Sequence, residues 1–456
     1  MQNKVISKIH FMDFNVSYRK PINKISIRKV RIYLFFIVPF TFFCDLLYGS
    51  FNYLGLKTHY SPGIFVRGII VVLSFLLILK TLNERKKIFF IIVPMLLLPS
   101  LFLGILKEFK FFDLFFNIRI YFKAIYGLML FNFLIYLNKR YFIDIEEILN
   151  LILISGILLS SFIILPYLLG FGFYTYGDYT YGFKGLIIAN NDLSLALIIS
   201  FLIGLFILTY NFSISNLIKV IYIIFALSLI GTRAALFSLL LVPFSVLFVY
   251  IFGKSNKEIF PFVNIKRKLF ILFILLLLLI VSSGVFFFLF SNIMENKYQR
   301  QKIEILLNKQ MPRYMLIESG VSYLKTRSFY FNLFGEGMFS YMKGVYNFYP
   351  GYSEKELKLV EVDWIDIFGG YGIVGVLLLY GFFIFWFVDS LIKFLRKKFI
   401  FYGLVCTGLV VYIGHSALAG HAIMSPMPTS LVVLLILANI IFEKRYVYSY
   451  PYRHRS

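Results

Sequence analysis

The chain has 456 residues, 60% of them hydrophobic, and a mean hydropathy of +0.83. Soluble domains are about 45–50% apolar, so a soluble enzyme is excluded, and a net charge of +24 reads as loop charge that orients a membrane protein rather than as a nucleic-acid surface. The two cysteines, Cys44 and Cys406, lie in or beside apolar runs and suggest neither a disulfide framework nor a metal site.

Residues 1–31 form a basic segment carrying Arg19, Lys20, Arg28, Lys29 and Arg31. The first apolar run starts only after it, so that run is expected to act as an uncleaved anchor. Apolar runs near the ~20 residues that cross a hydrocarbon core then recur at 32–48, 64–79, 88–106, 111–137, 148–170, 186–210, 217–231, 234–252, 269–290, 366–388, 399–414 and 422–442. The expected fold is an all-α polytopic membrane protein of about twelve transmembrane helices. Nine of them fill 32–290, a large loop fills 291–365, three follow over 366–442, and 443–456 is a tail.

Charge orients this scheme. The loops assigned to the cytoplasm carry the N-terminal cations, Arg85-Lys86-Lys87, Lys139-Arg140, Lys266-Arg267-Lys268, Arg396-Lys397-Lys398 and Lys444-Arg445. The short outer loops hold chiefly Lys57, Lys107, Lys110, Lys184 and Arg233. The asymmetry places both termini in the cytoplasm. Merging the spans on either side of Gly231 would put two basic clusters outside, so they are kept separate.

The 291–365 segment is too long for an ordinary connection. Pro312 can open a helix there, Tyr314, Ile317, Val321 and Leu324 recur at helical spacing, and the turn Gly335-Glu336-Gly337 follows. No internal repeat is evident, which weighs against an inverted-repeat transporter.

Several charges stand out. Arg119 and Lys123 lie four residues apart on one face of the fourth run, where each charge costs about 2.5–3.5 kcal/mol on insertion scales. They form a structural pair with Asp113 or another carboxylate, snorkel to the interface, or line an anion-binding cavity. Thr232 can cap the next helix, leaving Arg233 in its first turn, and Arg313 follows Pro312 in the same way. Cations beside free N–H groups at helix starts suit a phosphate. Asp363 and Asp366 can cap the tenth span, with Trp364 as an interfacial anchor. Glu361 lies upstream of any cap, and a carboxylate there can take a proton from a hydroxyl nucleophile. His415 and His421 flank the last outer turn and suit hydrogen bonding at a cavity rim; their spacing is not that of a metalloprotease, and the chain has no P-loop or dinucleotide fingerprint.

Gly231-Thr232-Arg233, the late long loop, and the stretch from Glu361 through Asp363, Trp364 and Asp366 to Gly372-Ile373-Val374-Gly375 resemble the O-antigen polymerase and ligase superfamily of membrane glycosyltransferases. Asn190-Asn191-Asp192 opening a helix and the turn from Gly414-His415 to Ser425-Pro426 add to the resemblance, which spans about residues 110 to 440. The ligase branch usually has a histidine where this chain has Glu361, and 291–365 contains none, which favours the polymerase branch.

The resemblance implies a metal-independent, GT-C-like transferase in the bacterial inner (plasma) membrane, needing no cofactor. It would join oligosaccharide units carried on undecaprenyl diphosphate, alongside membrane lipids, a chain-length regulator and a flippase. Arg233 and Arg313 would hold the diphosphate with support from Arg119 and Lys123, Glu361 would be the base, and Asp363 the second candidate. A ligase acting on a lipid A core or protein, and a lipid-linked oligosaccharide flippase, are the alternatives.

Overall fold

A computed structural model of the protein describes residues 24–56, 61–80, 88–103, 111–141, 143–176, 181–254, 265–295, 312–349, 357 and 359–444. The expected basic segment over 1–23, the Arg85–Lys87 cluster, Lys57, Lys107, Lys110, the 296–311 part of the long loop, and the tail from Arg445 lie outside the described residues.

Proline and glycine punctuate the first half. Helices α1 (Lys24–Ile37) and α2 (Pro39–Tyr53) are separated at Val38 because Pro39 opens the second. Then come α3 (Pro62–Lys80), α4 (Ile88–Leu97), the short α5 (Pro99–Leu103), α6 (Phe111–Tyr141) and α7 (Ile145–Leu168). A two-stranded antiparallel hairpin, β1 (Phe173–Tyr176) and β2 (Tyr181–Gly185), precedes α8 (Asn190–Tyr210). The periodicity reading has no counterpart for this hairpin.

Helices α9 (Ile214–Ile230) and α10 (Arg233–Phe252) are distinct, as the charge argument requires. Gly231 takes the left-handed conformation (φ +68°) that ends α9, and Thr232 Oγ1 accepts the Ala235 N–H at 3.3 Å to start α10. After α11 (Ile265–Glu295), the described part of the long loop is helical: α12 (Pro312–Lys325), α13 (Phe329–Phe334) and α14 (Met338–Tyr346). The chain closes with α15 (Asp363–Lys397), α16 (Ile400–Leu418) and α17 (Pro426–Phe442). The last begins four residues later than its apolar run because Ser425-Pro426 supplies the helix start.

Among the described residues, nine helical stretches are long and apolar enough to cross a membrane, and three shorter apolar helices (Phe89–Leu103, Ile214–Ile230, Pro426–Phe442) accompany them. The chain is mostly helical and has the character of a multi-pass membrane protein. Its surface agrees. Peripheral α3 and α11 expose Phe65, Ile69, Leu76, Phe273, Ile280 and Phe287, a distribution suited to lipid contact rather than water. The centre is built from α8 and α17, buried along nearly their whole length against α6, α7 and α16.

The 312–346 helices dock on α15 through glycine. Gly372 breaks that helix with φ +67° and ψ −169°. The break frees the Gly370 carbonyl, which accepts the Gly337 N–H at 3.0 Å, and a Cβ at Gly335 or Gly372 would strike the facing backbone. Between the turn glycines, Glu336 is fully buried, accepts the Tyr323 hydroxyl at 2.6 Å and faces Arg327 Nε at 3.5 Å. Burial pulls the Arg327 guanidinium below its ordinary value while Glu336 opposes that shift. The buried ion pair braces the loop internally, while the Gly337 N–H to the Gly370 carbonyl and the Phe339 N–H to Asn117 Oδ1 (2.8 Å) tie it to α15 and α6.

Candidate functional site

The N-terminus of α15 and the turn between α16 and α17 interlock. The Asp363 carboxylate accepts the N–H groups of His421 (2.6 Å), Ala422 (2.7 Å) and Ile423 (2.8 Å) and the hydroxyl of Ser416 (2.8 Å). A carboxylate offers about four acceptor positions, so these donors fill it. Asp363, expected as a second candidate base, is buried and spent on clamping this turn. Nor does it cap its own helix: Val362 occupies the N-cap position. Asp366, in the fourth position of the helix, turns back to accept the Val360 and Glu361 N–H groups at 3.0 and 3.1 Å, fixing the two residues that precede the Val362 N-cap.

Those two aspartates hold a strained neighbour. Glu361 has φ +65° and His421 has φ +58°, both non-glycine residues in the left-handed region. Such residues cost on the order of 1–3 kcal/mol each and persist where surrounding contacts over-determine them. The contacts are present: Gly420 packs so closely on the Glu361 carbonyl that a Cβ there would overlap it. The Glu361 and His421 side chains remain partly accessible, and Trp364 is exposed. His415 is buried in the last turn of α16, next to the Ser416 that serves the clamp.

The start of α8 joins this turn to the rest of the site. Asn191 Nδ2 donates to the Ala419 carbonyl (3.3 Å), Asn190 Nδ2 to the Thr175 carbonyl of the hairpin (3.3 Å), and Ser194 Oγ meets Thr232 Oγ1 at 2.8 Å. Asp192 shares an electrostatic neighbourhood with His421, Lys123 and Asp363, with Ser425, the N-cap residue of α17, beside it. The Ser425 hydroxyl is buried beside the Asp192 carboxylate. The N-termini of α8, α10 and α17 therefore gather at one end of the bundle, where their partial positive charge favours an anion.

Arg119 and Lys123 face the same region. Measured from Phe111 they lie about 12 and 18 Å along α6. Asp113, one partner considered for them, instead meets Lys343 at 3.5 Å, and among the described residues neither Arg119 nor Lys123 forms an ion pair. Arg119 Nε is buried without a hydrogen bond, and its guanidinium sits 4.9 Å from the Phe116 ring centroid. The nearest charges to Lys123 are Asp192, Arg119, Arg67 and Asp45.

Arg67 and Asp45 form a bidentate pair between α3 and α2, with one contact at 3.0 Å. Sequence reasoning passed over this pair and gave Asp192 no role. The signal was available, since Asp45 and Arg67 are charges inside apolar runs just as Arg119 is. The other expected residues lie apart from the centre. Arg233 is exposed in the first turn of α10, next to the Thr232 whose hydroxyl meets Ser194 of α8. Arg313 lies in the first turn of α12, its side chain outside the described residues.

The arrangement can bind an anion between unpaired cations and helix N-termini, and it presents a carboxylate held in a strained turn. Among the described residues no group of three or more His, Cys, Asp or Glu side chains could hold a metal. No protein-family profile matches the chain. No curated protein matches it either.

Proposed function

We propose that the protein is a polysaccharide polymerase of the GT-C type, crossing the bacterial plasma membrane about twelve times with both termini in the cytoplasm. It transfers a glycan from undecaprenyl diphosphate to a hydroxyl of the incoming lipid-linked repeat unit at the outer face. The observation that carries this reading is Glu361. Its backbone is locked in a left-handed turn by Asp366 and Gly420, and its partly accessible side chain adjoins the turn that carries His421 toward Asp192 and Lys123. A carboxylate and unpaired intramembrane cations are the two groups the reaction requires.

In this mechanism Glu361 takes the proton of the acceptor hydroxyl, whose oxygen attacks the anomeric carbon of the donor glycan. The bond from that carbon to the diphosphate breaks, and the leaving diphosphate carries its charge onto Arg119 and Lys123, with Arg233 and Arg313 guiding the headgroup from the rim. Asp363 and His421 position Glu361 rather than react. A chain-length regulator and a flippase are the expected partners of such an enzyme.

The test is the purified protein in proteoliposomes supplied with lipid-linked repeat units. A ladder of products supports polymerisation. A single transfer to a lipid A core or protein acceptor would make the protein a ligase. Carrier movement without bond formation would make it a flippase and remove the enzyme reading altogether. Wild-type turnover by both Arg233→Ala and Glu361→Gln would remove the proposed site.

A further inference from the structure

Helix α14 starts against α6. Its N-cap position is Gly337, which has no side chain to accept the first N–H groups of the helix. Asn117 of α6 supplies the acceptor instead, its Oδ1 taking the Phe339 N–H. Gly337 has φ +80°, and a Cβ there would come within 2.8 Å of Asn117 Nδ2, so only glycine admits this cap. Lys343, one turn further along α14, faces Asp113 of α6 at 3.5 Å and sits 4.7 Å from the Phe339 ring centroid. Asp113, Phe116 and Asn117 are neighbours on one face of α6. The Phe339 ring meets the Phe116 ring edge to face, with 5.5 Å between centroids and 62° between planes. Three residues beyond Phe116, the Arg119 guanidinium lies 4.9 Å from the Phe116 centroid.

We propose that α14 positions the Arg119 guanidinium for an anion through the stack of Phe339, Phe116 and Arg119. The two phenylalanines are positioning residues. The inference rests on the polymerase reading, in which Arg119 meets the leaving diphosphate, and goes beyond it by making that contact depend on the docked 312–346 helices. A free arginine has many rotamers to lose on binding. Among the described residues Arg119 forms no ion pair, and its buried Nε has no hydrogen bond. What orders it is the face of Phe116, whose negative quadrupole attracts the guanidinium. That ring is held in turn by Phe339, and Phe339 by its backbone bond to Asn117. An arginine ordered before the ligand arrives binds more tightly, because the ordering cost is already met.

The full-length protein in phosphatidylcholine nanodiscs, titrated with inorganic pyrophosphate in a calorimeter, tests this. Phe116→Leu removes the ring face, Phe339→Leu removes the ring that holds it, and both keep apolar bulk. Phe116→Leu is expected to weaken pyrophosphate binding by about fivefold and Phe339→Leu by about threefold. In an Arg119→Met background neither should weaken it further, because nothing is left to position. Equal losses in the two backgrounds would overturn the proposal, since the phenylalanines would then hold the fold and not the arginine. So would wild-type affinity in both variants, or no pyrophosphate binding by the wild-type protein. Should Arg119→Met abolish binding outright, the rate at which phenylglyoxal modifies Arg119, read by peptide mass spectrometry without ligand, decides. Faster modification in both leucine variants supports the stack, and an unchanged rate overturns it. Coupling to Arg119 in a protein that forms no product ladder would sink the polymerase reading and leave the stack standing. A wild-type ladder alongside unaltered affinities in the leucine variants would do the reverse.

Discussion

The two ends of the bundle treat buried charge in opposite ways. At the end of α15 far from the 312–346 helices, Lys393 donates to Asp389 at 2.6 Å and also to Glu443, joining α15 to the end of α17. Beside it the backbone of Lys254 pairs with Lys398 and Ile400 across the helix ends. Every charge in that triad has a partner, and the arrangement needs no ligand to explain it. At the other end Asp363 is saturated, but among the described residues Arg119 and Lys123 form no ion pair, and Glu361 and His421 are strained. One end is closed electrostatically and the other is unfinished. Local deficits of this kind mark a place where binding energy or chemistry is to be supplied by something else.

That contrast can be broken or sharpened by mutation. The largest effect is expected from Glu361→Gln, which should lower ladder formation by about 10²–10⁴-fold while the thermal unfolding midpoint in detergent stays where it was. An equal loss of both would make Glu361 structural. Next, Asp363→Ala should destabilise by about 3–5 kcal/mol, because three backbone donors and Ser416 lose a buried acceptor. A cysteine placed at Ala422 should then label faster in that background. Lys393→Met should cost about 1–2 kcal/mol, since the triad is partly accessible and its two carboxylates would face each other. Ladder formation by the folded fraction is the control and should not move. The smallest change in stability is expected from Lys123→Met, which should leave the midpoint unchanged or raise it by up to about 1 kcal/mol while ladder formation falls. A midpoint drop as large as that for Lys393→Met would erase the difference between the two ends.

Much of the fold was legible because membrane helices announce themselves. The runs at 111–137, 148–170, 186–210 and 234–252 correspond to α6, α7, α8 and α10, and the charge argument that separated α9 from α10 agrees with the left-handed Gly231 between them. The hairpin over 173–185 was not legible, because its strands are four and five residues long and too short to show a period. The break in α15 at Gly372 was equally hidden, since hydropathy registers composition and not a single backbone angle. At the site, Arg119, Lys123 and Glu361 were readable as charges in places where charge is costly or uncapped. Asp363 was not readable in its clamping role, because its three backbone donors come from residues about sixty positions away. The Asp45–Arg67 pair escaped notice although it obeys the rule that singled out Arg119.

The placement of α17 has a consequence for how the molecule is made. All its residues from Pro426 to Phe442 are buried, among α6, α7, α8 and α16. Every one of those neighbours leaves the ribosome first. Until α17 arrives, the assembling protein must keep a helix-wide slot open, filled by lipid tails or by the insertion machinery. Packing of this core is therefore completed only on delivery of its innermost helix, and quality control has one event to inspect.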